Sequence, residues 1–458
     1  MIAAAKILEQ RTHVVPGKLK VTEHFFQVPR DHSNPSHGTI QLFARSVLKS
    51  DSSLDAPDPK KSQLPWLLYL QGGPGYECRS PQATAWTTPL LDKGYRVLFL
   101  DQRGTGLSNA VSQSSLQLRG NEDVQTAYMK SFRADSIVRD CEAVRQALVA
   151  DYPDEKKKWS ICGQSFGGFC VTTYLSLFPE ALKEAFVFGG LPPMRNRPDE
   201  VYDRLYARVK RRNDAYYAKF PEDVERVRRV VKLLRRFGDE TVRVQGGEGF
   251  LPARRFLQLG LQFGFLGGLD AVHDIVLRAD ADLAQHGHLS KPTVMAIEGM
   301  QSFDSNVIYA LLHEPCYCQG EAPNWAAERM MQKHPEFKLE EALKTDAPIL
   351  FTGEMVYPFM LDSYPELRKL KTVAENLAQT KDWPKLYDDE QLSRNEVPVY
   401  AAVYYDDMYV DFDLSMERAR NIKGCKTFIT NAMSHEAIRS KTEEVFKAIW
   451  ALRDDTLD

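Results

Sequence analysis

The first half of the chain carries short apolar runs set between glycine- and proline-rich turns. Trp66 to Leu70 reads as a buried strand, and Arg96 to Leu100, Trp159 to Cys162 and Ala185 to Phe188 read as the strands that follow it. Each is too short for a core helix and ends in turn residues. Between the second and third, Ser131 to Val149 places apolar residues at helical spacing. The alternation predicts an α/β fold. Pro348 to Phe351, Val397 to Tyr404 and Lys426 to Thr430 predict further strands, and Thr442 to Leu452 a closing amphipathic helix.

The stretch between the strands near Phe188 and Leu350 is rich in helix-like segments. Leu191-Pro192-Pro193 makes a stiff exit, and Arg204 to Arg236 is basic, with Val224, Val227, Val231 and Leu234 along one helical face. It reads as a cap inserted into the core, so that residues 1–190 and 346–458 form the core and 191–345 the cap. Gly260 to Gly268 suits a cap bend or close helix contacts and is too short to cross a membrane. Residues 49–65, with Pro57, Pro59 and Pro65, read as a surface connection.

Chemistry enters with Gly163-Gln164-Ser165-Phe166-Gly167-Gly168, directly after the strand at Trp159. A serine between glycines at a strand-to-helix turn is a nucleophile elbow, where the following helix aims backbone N–H groups at charge developing near its Oγ. Such a serine needs a carboxylate and then a histidine later in the chain. Asp406, Asp407 and His435 stand in that order. Two further turns, Gln71-Gly72-Gly73-Pro74-Gly75 and Asp101-Gln102-Arg103-Gly104-Thr105-Gly106, follow the earlier strands and suit ligand chemistry at one sheet edge.

These three ordered motifs resemble those of the proline iminopeptidases, or prolyl aminopeptidases, of the α/β-hydrolase superfamily. Tyr404 to Val410 resembles the form found in the longer members. The resemblance implies an α/β-hydrolase core with a largely helical cap, and serine-dependent release of N-terminal proline from short peptides. It implies Ser165, Asp407 and His435 as the triad, with Gly73 and Phe166 N–H groups as oxyanion donors. Gln71 stands where the family usually has histidine. An aminopeptidase also needs a carboxylate for the substrate's ammonium. Leu312-His313-Glu314-Pro315 resembles the cap segment carrying such a glutamate, which makes Glu314 the first expectation and Glu354, after Phe351-Thr352-Gly353, the second.

Composition narrows the alternatives. At 458 residues, 43% hydrophobic and 26% charged, the chain suits a large globular core, and a net charge of -3 argues against a nucleic-acid partner. No H-E-x-x-H motif is present and Cys316-Tyr317-Cys318 lacks a second ligand pair, so no metal or other cofactor is expected. Seven cysteines and the lack of a long apolar N-terminal stretch point to the cytoplasm, with no membrane partner. Self-association stays open. The competing readings are a related esterase or an aminopeptidase of non-prolyl specificity and, from a different class, an inactive interaction protein.

Overall fold

The computed structural model describes residues 2–49, 63–244 and 247–456, so the expected connection at 49–65 falls mostly outside the described residues. Its strands are β1 (Lys6–Val15), β2 (Leu19–Pro29), β3 (Thr39–Lys49), β4 (Trp66–Leu70), β5 (Arg96–Asp101), β6 (Trp159–Gln164), β7 (Leu182–Phe188), β8 (Arg243–Val244), β9 (Gly249–Phe250), β10 (Val399–Tyr404) and β11 (Cys425–Thr430). Nine of them form one sheet in the order β1-β2-β3-β5-β4-β6-β7-β10-β11. The six strands from β5 to β11 in that order run parallel, while β1, β2 and β3 add an antiparallel meander.

Parallel strands are covered on both faces, so every residue of β4, β6 and β10 is buried. Successive side chains serve opposite faces. Trp66, Leu68 and Leu70 join the core beneath the helices Ala134–Leu148 and Phe166–Leu177, whereas Leu67 and Tyr69 pack with Val445, Phe446 and Ile449 of the helix Thr442–Arg453. Because these strands share one direction, the turns after β4, β5, β6, β10 and β11 all open on the same edge of the sheet.

Among the described residues from β7 to β10, none adds a strand to this sheet. The basic segment becomes two helices, Asp199–Lys219 and Asp223–Arg236, the second burying Val227, Val230, Val231 and Leu234. The strand expected at Pro348 to Phe351 does not form. Its backbone is satisfied by cap groups instead: the Tyr217 hydroxyl donates to Ile349 O (2.5 Å), Phe351 N donates to Asn213 Oδ1 (2.8 Å), and Thr352 N donates to Leu257 O (2.9 Å). The chain therefore rejoins the sheet at Val399 and not near residue 346. No helix among the described residues is long and apolar enough to cross a membrane.

Candidate active site

Ser165 sits between β6 and the helix Phe166–Leu177 with φ +55° and ψ -127°, a conformation that L side chains rarely adopt. Bare neighbours permit the turn. A Cβ on Gly163 would lie 2.2 Å from Gly167 O, and one on Gly167 would lie 2.0 Å from Leu70 O. Ser165 N donates to Phe188 O at 3.0 Å, tying the turn to the end of β7. Phe166 opens the helix, so its N–H has no acceptor within it.

The two partner loops follow β10 and β11. Asp407 is buried and both its oxygens are used. Oδ1 accepts from the N–H groups of Tyr409 (2.8 Å) and Val410 (3.0 Å), and Oδ2 faces His435 Nδ1 at 2.7 Å. Asp406 is exposed. Burial works against a charged imidazole at His435, but the Asp407 carboxylate, with smaller help from Glu354 and Glu436, outweighs it and raises the pKa above the usual 6.5.

Ser165 and His435 line one cavity of about 430 Å³, together with Gly72 and Gly73 of the turn after β4. Its other walls come from the cap, including Leu261, Phe265, Phe303 and Tyr309, and from the core, including Tyr69 and Trp86. Two carboxylates reach it. Glu77 is exposed, whereas the Glu354 side chain keeps only 18% of its surface in solvent. The Tyr309 hydroxyl donates to Glu354 Oε1, and His313 Nε2 lies 3.9 Å from Oε2. Burial lowers the His313 pKa, and the Glu354 carboxylate only partly opposes this.

Glu314 lies elsewhere. Its Oε1 and Oε2 accept from the N–H groups of Ala327 and Ala326, each at 2.9 Å, capping the helix Ala326–Met331 after the left-handed residues Asn324 and Trp325. Burial pushes its carboxyl up to about 8 despite those two donors. It borders a narrow space with Leu311, Pro323 and Trp325 and is not part of the Ser165 cavity. His313 and Glu314 adjoin in sequence yet serve different neighbours, and nothing in the local pattern shows which way either points. Sequence reasoning also passed over Tyr309, Arg79 and Arg439, all of which line the cavity. Tyr309 and His313 do stand at i and i+4, a spacing that puts them on one helical face, but that spacing does not say that the face meets Glu354.

A parallel sheet whose strand ends carry a serine on a strained turn, an aspartate–histidine pair and a glycine loop around one cavity defines a serine hydrolase of the α/β-hydrolase class. Residues 65–233 match the family described as alpha/beta hydrolase fold. The chain is 46% identical over 457 residues to the proline iminopeptidase aneH of Aspergillus aculeatus, covering 100% of this chain and 99% of that protein. It is 40% identical over 445 residues to a proline iminopeptidase of Aeromonas sobria, covering 97% and 99%. The chain belongs to the proline iminopeptidase family.

Proposed function

We infer that this protein is a serine peptidase that releases N-terminal proline from short peptides. Ser165 Oγ attacks the carbonyl of the first residue while His435, through the ring nitrogen opposite Nδ1, takes the serine proton and returns it to the leaving amine. Asp407 holds the imidazole by its Nδ1 side, and its own position is set by the backbone donors at Tyr409 and Val410. The Gly73 and Phe166 N–H groups take the negative charge that develops on the carbonyl oxygen. Water then hydrolyses the acyl-enzyme. The substrate's ammonium pairs with Glu354, and not with Glu314.

The observation that carries this reading is the half-buried Glu354 carboxylate in the same cavity as Ser165 and His435. A fixed negative charge there rewards a free N-terminal amine and penalises a blocked one. The names of the two relatives support proline as the first residue, and its ring makes it a compact occupant with little conformational freedom to lose. We also place the enzyme in the cytoplasm, in keeping with its seven free thiols.

A panel of X-linked arylamides, each with a free and an N-acylated amine, tests the reading. Prolyl arylamide is expected to dominate, acylation to abolish turnover, and Ser165→Ala to remove activity. Dominance of another residue would reject the prolyl assignment. Efficient cleavage of amine-free esters, with no preference for a free N-terminus, would favour the esterase reading.

A further inference from the structure

The Ser165 cavity has a second charged pole that this mechanism leaves unused. Arg79 and Arg439 both line it. Arg439 is half-buried, four residues after His435, with its guanidinium carbon 5.7 Å from the centroid of the Trp86 ring. Arg79 follows Cys78, whose N–H is pinned to Asp101 Oδ1 at 2.9 Å. Among the described residues neither guanidinium meets a carboxylate within ion-pair distance, including the exposed Glu77 on the same wall. Guanidinium groups on a cleft wall that are not ion-paired to the protein's own carboxylates are placed to receive an anion from a ligand.

The two poles engage different groups of wall residues: Glu354 accepts from Tyr309, whose ring packs 5.2 Å from Tyr76, whereas Arg439 stands over Trp86, whose ring packs 5.0 Å from Tyr69. Burial raises the hydroxyl pKa of Tyr76, Tyr309 and Tyr409, and the Glu354 carboxylate adds to the rise. Burial raises Tyr69 as well, but there the Arg439 charge opposes the rise. His435 and Ser165 share the cavity with both poles. A peptide aligned for cleavage places its ammonium on one side of the scissile bond and the leaving residue on the other. At about 430 Å³ the cavity is towards the small end of ligand sites, which run to about 1,000 Å³, so a leaving group of a single residue would bring its terminal carboxylate to the second pole.

We propose that Arg79 and Arg439 form a carboxylate subsite on the leaving-group side, which makes prolyl dipeptides with a free C-terminus the preferred substrates of this enzyme. This rests on the aminopeptidase reading above. Arg439, half-buried and steadied by Trp86, supplies most of the discrimination, and Arg79, exposed and screened by solvent, adds less.

The test compares Pro-Ala with Pro-Ala-amide, which differ only in the terminal charge. The free acid is expected to be cleaved with a kcat/KM about tenfold to a hundredfold higher, the range for one charge-assisted hydrogen-bonded contact. The ratio should shrink as ionic strength rises. In the Arg79→Gln/Arg439→Gln double variant it should fall to near unity, whereas Glu354→Gln should lower acid and amide alike and keep the ratio. A wild-type ratio near unity, or a ratio that survives in the double variant, overturns the subsite. If the double variant does not fold, Arg439→Lys is expected to give an intermediate ratio, and an unchanged ratio there counts against the proposal equally. Failure of the wild type to cleave any prolyl amide would reject the aminopeptidase reading itself, a different result from cleavage without preference.

Discussion

Glu354→Gln separates recognition of the amine from the hydrolytic machinery. The substitution keeps the shape and an oxygen acceptor for the Tyr309 hydroxyl but removes the negative charge. Truncating one partner of a buried charge pair costs about 2–5 kcal/mol, and a neutral hydrogen bond retains roughly half the strength of a charged one. The carboxylate is partly solvated, with 18% of its side chain exposed, so the low end applies. A loss of about 2–3 kcal/mol corresponds to a kcat/KM for prolyl arylamide roughly thirtyfold to a hundred-and-fiftyfold below wild type. The assay measures kcat/KM for prolyl arylamide beside an ester of the same acyl size lacking the amine, in wild type and in Glu354→Gln. The ester should be nearly unaffected, because Ser165, His435 and Asp407 remain assembled. A folded variant with wild-type kcat/KM on the arylamide, or an equal loss on the ester, would refute the role given to Glu354.

Glu314→Gln should do the reverse. It removes one of the two acceptors that hold the Ala326 and Ala327 N–H groups, leaving a buried donor unpaired at about 1–3 kcal/mol, so urea denaturation should show lower stability while the preference for a free amine stays as in wild type. His435 must be neutral to accept the serine proton, and its pKa is raised, so kcat/KM should be lost as pH falls through a value above 6.5. In Asp407→Asn that limb should move down while kcat falls by on the order of 10⁴, and a wild-type limb at or below the ordinary histidine value would contradict the electrostatics. Gly167→Ala places a Cβ 2.0 Å from Leu70 O, between elements that cannot both give way, and should cost at least about 1–3 kcal/mol in urea denaturation together with most of the activity; wild-type stability would show that the turn can relax.

Much of the core was legible because its signals are local. Five residues between breakers, as in Trp66–Leu70, suffice to mark a buried strand, and the elbow is written in six consecutive residues. The order of Ser165, Asp407 and His435 is likewise a linear property, and resemblance chose Asp407 over its neighbour. The N-terminal meander escaped notice for a physical reason. β1 is exposed along nearly its whole length, and the alternation of β2 breaks at Thr22-Glu23, so neither carries a continuous apolar stripe. Pro348 to Phe351 looked like a strand because it is apolar and bounded by turn signals. Whether such a segment joins a sheet depends on who supplies its hydrogen bonds, and here Asn213, Tyr217 and Leu257 supply them from the cap. The amine partner was decided at the same level. Glu314 and Glu354 are equivalent as sequence, each a glutamate in a family-like segment. Only the packing of distant segments turns Glu314 onto a helix end and brings Glu354 to Tyr309, 45 residues earlier, at the edge of the Ser165 cavity. Strand and turn formation follow from interactions within a few residues, but the direction of a side chain and the groups that share its cavity are set by contacts between elements far apart in the chain.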